Sequence, residues 1–204
     1  MFKIAEEHGC QQCLWLFGED HEITEVGAMN LFILLRDAAG NMELVTPPLT
    51  TGVILPGVTR RSIVELCSTW PGITVSERRI TMGEVMTAHA EGRLVEVFGS
   101  GTAAVVSPVG GLHYQGRMVR IPTPEEGLAS QIMTAMSDIY YGRVASPWAI
   151  DVEEWNVDRN QVYYLKIHFK IHIKHLQHQD FGGLQTTRNG KIIKSQCCLR
   201  NHND

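Results

Sequence analysis

With 204 residues, 44% of them apolar, the chain can bury a sizeable core and is read as one domain with an appendage. Charge divides unevenly: residues 1–154 carry 10 Lys and Arg against 19 Asp and Glu, a balance of −9, and residues 155–204 carry 8 against 3, a balance of +5. A mildly acidic body without a basic stripe excludes broad nucleic-acid binding, no apolar run reaches membrane-spanning length, and five cysteines without a secretory apolar segment fit a reduced, intracellular chain.

Residues 13–17 form a short apolar run and residues 29–35 another; both are bounded by turn or charged residues and read as buried strands. Residues 37–41, Asp-Ala-Ala-Gly-Asn, make the turn into a short strand over Met42–Thr46. Pro56 and Gly57 break the chain before a segment in which Ile63, Leu66, Cys67 and Trp70 recur at helical spacing, so a helix begins beside Val58 and Thr59. Thr81 followed by Glu84 is a capping-box pattern and Gly92 a stop, which predicts a helix over residues 82–91. Residues 94–98 read as a strand entering a glycine turn at Gly99-Ser100-Gly101. The β-branched residues 103–109, ending at Pro108 and a glycine pair, read as its partner. A hairpin with Gln115-Gly116 at its tip follows, then a helix over residues 125–140 with Leu128, Ile132, Met136 and Ile139 on one face.

Gly99-x-Gly101-x-x-Ala104 after a strand satisfies a relaxed dinucleotide fingerprint, but that fingerprint requires a helix next, and here a β-branched stretch with Pro108 follows. What survives is a loop whose N–H groups can hold an oxyanion, with the Thr102 hydroxyl beside it. Leu55-Pro56-Gly57-Val58-Thr59 places the unpaired amides of a helix start next to a glycine, a second anion seat. Taken singly each is an ordinary turn or helix entry. Two anion seats and a strand-borne carboxylate, Glu25, suggest a phosphorylated aromatic cofactor.

Three ordered segments, Glu25-Val26-Gly27-Ala28-Met29-Asn30, Leu55-Pro56-Gly57-Val58-Thr59-Arg60 and Gly99-Ser100-Gly101-Thr102-Ala103, carry a resemblance. Over residues 9–152 the chain resembles the C-terminal large domain of branched-chain amino acid aminotransferases, fold type IV enzymes that use pyridoxal 5′-phosphate. The resemblance implies an α+β fold, a mixed-sheet pseudobarrel with packed helices, and a homodimer or pairing with full-length subunits. It implies transfer of the amino group of leucine, isoleucine or valine to 2-oxoglutarate, in the cytoplasm ahead of the mitochondrion. It further implies that Glu25 binds the pyridine nitrogen, that Leu55 packs on the ring, and that the amides of Val58 and Thr59 hold the phosphate with the Thr102 hydroxyl. The amides of Thr102 and Ala103 are expected at the substrate carboxylate, with Ala28 on the substrate side.

The departures are equally specific. Members hold the cofactor as a Schiff base on a lysine upstream of the glutamate motif, whereas Lys3 is the one lysine of residues 1–154 and stands in a different local context. The chain is therefore expected to be a truncated member with no catalytic residue of its own and little turnover, or a non-catalytic module that binds the cofactor or pairs with intact subunits. Ala28 stands where many animal members carry threonine. Ala104 and Ser107 replace the cysteines of a redox pair seen in some vertebrate members. Cys10-x-x-Cys13 lacks a second pair and is read as two ordinary thiols. In the tail, residues 154–204, His168, His172, His175 and His178 could line a helix face and bind zinc, or the alternation of residues 166–175 could form a strand; the plainest reading is a non-homologous, disordered terminus with no metal.

Overall fold

Residues 30–35 are buried without interruption, and the strand they form lies at the centre of a ten-stranded sheet in the computed structural model, which describes residues 2–149 and 197–200. In chain order the elements are α1 (Phe2–Glu7), β1 (Gln12–Phe17), β2 (Glu22–Val26), β3 (Met29–Arg36), β4 (Met42–Thr46), a 3-10 turn at Leu49–Thr51, α2 (Val58–Cys67), β5 (Ile73–Glu77), α3 (Met82–Ala90), β6 (Leu94–Gly101), β7 (Val105–Pro108), β8 (Gly111–Tyr114), β9 (Arg117–Arg120), α4 (Leu128–Tyr140) and β10 (Cys197–Arg200). The class is α+β, as expected. The sheet is mixed: β4 and β5 run parallel, and the other pairs are antiparallel.

Strand β3 shows no alternation because both of its faces are covered. Leu31, Ile33 and Leu35 share one buried cluster with Val85 and Ala88 of α3 and Leu94 and Val97 of β6. Phe32 lies opposite Phe98 on the other face, and their rings stack at 5.2 Å between centroids. Each fully buried phenylalanine stabilises the fold by about 1.5–3 kcal/mol through removal of apolar area from water.

One edge of β3 is shared by two strands. Because β6 pairs with Asn30 through Leu35 along one edge, β2, which pairs at Met29 and Asn30, and β4, which pairs from Ile33 to Arg36, must both lie on the other. They diverge at Leu31 and Phe32, and Thr46 Oγ1 donates to the Leu31 carbonyl at 2.8 Å, satisfying an acceptor that the ladder leaves open.

Several expectations change in detail. The glycine turn is strand: β6 continues through Gly99 and Gly101, and the reversal falls at residues 102–104, so β7 begins at Val105 rather than 103. Glycine serves close approach there, since a Cβ on Gly99 would lie 3.0 Å from Met29 Cε and one on Gly101 would lie 3.2 Å from Met29 Cγ. The last helix begins at Leu128 instead of 125 because the buried Glu96 carboxylate takes the amides of Leu128 and Ala129, at 2.6 and 3.0 Å. The capping box holds as one bond, Glu84 N–H to Thr81 Oγ1 at 3.2 Å. Strand β10 inserts between β1 and β8, so Cys197–Arg200 are ordered where the sequence reading has a disordered tail over residues 154–204; the backbone of this segment finds its hydrogen-bond partners in two strand edges far away in sequence. The tail histidines and the reading of residues 154–196 as disordered lie outside the described residues.

The chain divides into two units, residues 1–133 with 188–204, and residues 134–187. In the second, the Arg143 guanidinium pairs with Asp138 at 2.8 Å and lies over the Tyr141 ring.

Candidate active site

Glu25 owes its position to an irregularity. Leu14 pairs with Val26 but Leu16 pairs with Ile23, so Thr24 and Glu25 together oppose Trp15 alone, a β-bulge in β2. The bulge buries Ile23 and Thr24 in succession and leaves Glu25 half-buried, while Thr24 Oγ1 donates to the Trp15 carbonyl at 2.9 Å and fixes the distortion. Past it, the chain reverses at Gly27 and Ala28. Gly27 has φ +57°, and its carbonyl accepts from Trp15 Nε1 at 3.0 Å.

Across the sheet, Glu25 is paired with Asn30 and Asn30 with Ser100. Directly opposed residues project to one face, so these three form a polar row that continues the line of Phe32 and Phe98. Two strand spacings, about 10 Å, separate the first Cα from the last. Ser100 is 1% exposed and its hydroxyl has no hydrogen-bond partner among the described residues.

The segment between β4 and α2 closes over this row where β2 and β4 part. Leu55 N–H donates to Glu25 Oε1 at 2.9 Å, and Asn30 Nδ2 donates to the Leu55 carbonyl at 2.9 Å and to Glu25 Oε1 at 3.3 Å. A Cβ on Gly57 would lie 2.2 Å from Asn30 Oδ1, so only glycine lets the head of α2 come this close.

That helix head is suited to an anion. Its N-cap, Gly57, provides no side chain to the amides of Val58 and Thr59, and the first turn contains no acidic residue. Arg60 and Arg61 stand there instead. Arg60 is buried, donating to the Pro47 carbonyl at 2.9 Å and to Glu77 at 2.6 Å, and its Nε is unpartnered among the described residues. Arg61 pairs along the helix with Glu65.

The residues expected from the sequence fall as follows. Leu55 is bonded directly to Glu25 and keeps its side chain 72% exposed. Val58 is exposed and Thr59 buried, at the start of α2. Ala28, Thr102 and Ala103 are exposed, and the contact of Met29 with Gly101 brings their two turns to the same end of the sheet. Val105, closing the second turn, has φ +57°, a conformation that strains a β-branched residue by about 1–3 kcal/mol. Asn30, Ser100 and Arg60 are site residues beyond those expected from the sequence. For Asn30 the signal was present: a lone amide inside an apolar run must find partners once buried.

No group of three or more His, Cys, Asp or Glu able to hold a metal occurs among the described residues. Burial pushes the Cys67 thiol up to about 12, which makes it an unreactive core residue. A carboxylate held by backbone, an uncapped helix head and a buried hydroxyl without a partner fit a flat, nitrogen-bearing ring with a phosphate.

Residues 3–111 match the family described as amino-transferase class IV. The chain is 53% identical over 150 residues to the cytosolic branched-chain-amino-acid aminotransferase of Mus musculus, an alignment covering 72% of this chain and 39% of that protein. It is 48% identical over 150 residues to the mitochondrial enzyme of the same organism, covering 72% and 38%. Among solved structures it is similar to the branched-chain amino acid aminotransferase from Thermobaculum terrenum in its PLP (holo) form, with TM-score 0.53 and 24% identity over 70% of this chain and 41% of that one, a likeness of fold. The chain spans about two-fifths of the length of the curated relatives it matches. No helix among the described residues is long and apolar enough to cross a membrane.

Proposed function

Because the chain belongs to the class IV aminotransferases, we propose that its residues bind pyridoxal 5′-phosphate and serve branched-chain transamination, from leucine, isoleucine or valine to 2-oxoglutarate. When bound, the cofactor supplies an electron sink for the carbanion left at the amino acid's Cα. Glu25 holds the pyridine nitrogen, Leu55 lies along the ring, and the amides of Val58 and Thr59 with the Thr102 hydroxyl hold the phosphate. Thr102 and Ala103 amides take the substrate carboxylate beside Ala28.

The observation that carries this reading is the joint held by Glu25, Asn30 and Leu55, which ties a bulge-presented carboxylate to an uncapped helix head. The relatives, branched-chain-amino-acid aminotransferases, support the branched-chain assignment, and the higher identity to the cytosolic mouse enzyme supports the cytosol. Exposed Leu49, Val53, Leu55 and Val58 support self-association or pairing with a full-length subunit. Turnover by this chain alone is low, because no lysine besides Lys3 occurs in residues 1–154 to move the proton at Cα.

The test is retention of pyridoxal phosphate by dialysis, followed by borohydride reduction and intact-mass measurement, for the wild type and Glu25→Ala. Retention at least tenfold weaker in Glu25→Ala is expected, without a covalent adduct and without leucine-dependent glutamate formation. Equal retention in both proteins refutes the binding reading; a stable adduct on one residue accompanied by glutamate formation refutes the low turnover.

A further inference from the structure

Asn30 makes an arrangement that the contacts expected of this site do not account for. Its side chain lies in a strand where every neighbour from Leu31 to Leu35 is apolar and buried, and it is itself 6% exposed. Burying an amide there is unfavourable unless its polar atoms are used. Both of its hydrogen-bond partners among the described residues, Glu25 Oε1 and the Leu55 carbonyl, are acceptors, which fixes the NH2 end toward them and turns Oδ1 toward Gly57.

Both hydrogen bonds received by Glu25 go to Oε1, one from Asn30 and one from the Leu55 amide. Oε2 has no partner among the described residues. One amide therefore does two things at once: it selects the carboxylate oxygen that stays available, and it locks the segment leading into α2 against the same carboxylate. We propose that Asn30 is a positioning residue of this site, presetting Glu25 so that Oε2 faces a ligand's pyridinium N–H, and coupling that contact to the anion seat at the head of α2. The proposal rests on the cofactor reading above and adds a residue to it that touches neither ring nor phosphate. An aspartate at this position would have the same shape and the wrong polarity, facing a carboxylate and a carbonyl with no donor.

The experiment is a double-mutant cycle in binding of pyridoxamine 5′-phosphate, which has the ring and the phosphate but no aldehyde, so that only non-covalent grip is measured. Dissociation constants are taken for the wild type, Glu25→Ala, Asn30→Ala and the double variant, together with the 15N shift of the bound, labelled ring nitrogen. Asn30→Ala is expected to weaken binding about tenfold when Glu25 is present and less than about twofold when it is absent, as contacting residues show coupling. It also moves the ring-nitrogen shift away from the protonated form, a change that loosened packing alone does not produce. Should alanine leave a cavity that unfolds the chain, Asn30→Asp keeps the side-chain volume and must weaken binding by at least the same factor.

Binding lost in Glu25→Ala but unchanged in a folded Asn30 variant overturns this proposal and leaves the cofactor reading standing. An Asn30 effect of equal size with and without Glu25 overturns it as well, since the residue then acts on packing. No binding by the wild type overturns both.

Discussion

Replacing Glu96 by glutamine tests whether a buried carboxylate with no cation beside it among the described residues stabilises this fold. Glu96 is 5% exposed and its two oxygens accept from Leu128 N–H and Ala129 N–H at 2.6 and 3.0 Å, two amides that would otherwise be orphaned at the head of α4. Hydrogen bonds to a charged group contribute about 1.5–3 kcal/mol each, and a negative charge at a helix N-terminus adds about 0.3–1 kcal/mol, up to about 2 when partly buried. Glutamine keeps the shape and one acceptor, but its NH2 faces the second amide, donor against donor. Glu96→Gln therefore forfeits one charged bond, strands a buried N–H and removes the charge at the helix start. Against this stands the relief of not burying an ion, worth several kcal/mol for a carboxylate with poor solvation. With two amides and the helix end solvating it, the carboxylate is not such a case, and a net loss of about 2–3 kcal/mol is expected. Urea unfolding followed by far-UV circular dichroism should show a lower midpoint at unchanged slope, and thermal unfolding a midpoint about 5–10 °C lower. Gly127→Ala checks the geometry independently, since a Cβ there would lie 2.5 Å from Glu96 Oε1 and must push the carboxylate off the helix. If Glu96→Gln is as stable as the wild type or more so, desolvation dominates and the capping argument is wrong.

Gly57→Ala places a methyl 2.2 Å from Asn30 Oδ1, so the head of α2 must retreat; a loss of about 1–3 kcal/mol in urea unfolding is expected together with weaker retention of pyridoxal phosphate. Ser100→Ala removes a buried hydroxyl that has no partner among the described residues, so the ligand-free protein should be unchanged or up to about 1 kcal/mol more stable by the same assay. Arg78 binds Glu43 at 2.9 Å and Glu84 at 2.8 Å and holds the Glu43 carboxyl below its ordinary value of 4.5. Its contribution is present above pH 4.5 and is lost as the pH falls through the depressed value, so urea midpoints of the wild type should drop on acidification more than those of Arg78→Ala, with a gap at neutral pH of about 1 kcal/mol.

What the sequence made legible was local. The buried strand at residues 29–35, the helix head after Gly57 and the Thr81 cap follow from apolar runs and capping chemistry, which act within a few residues. The glycines of β6 read as a turn in the sequence because a glycine that gives room to Met29 and a glycine that reverses the chain look alike in one dimension. The apolar spacing puts the start of α4 three residues early because the residue that determines the start, Glu96, lies about thirty positions away on β6. Strand β5 has little signal in the sequence, since its pairing with β4 is parallel and depends on the crossover through α2, not on its own weak alternation.

The site itself follows from a topological defect more than from any motif. Were β2 and β4 to pair with β3 end to end, the sheet would close and Glu25 would face a packed ladder. Instead they part at Leu31 and Phe32, and Thr46 satisfies the carbonyl exposed by the gap, so the residues after β4 can drop onto the polar row at its open end. The β2 bulge sets Glu25 toward that opening, and Asn30 bonds both sides of it. Two arginines in the first turn of α2 set cations against the positive end of its dipole, an arrangement that costs stability without an anion. Glu77 neutralises Arg60, which also donates to the Pro47 carbonyl, and Glu65 neutralises Arg61, yet among the described residues no side chain caps the amides of Val58 and Thr59. The unmet demand for negative charge thus lies at the amides of the helix head, on the same side of the sheet as the Glu25 carboxylate, where a ligand with a protonated ring nitrogen and a phosphate would satisfy both.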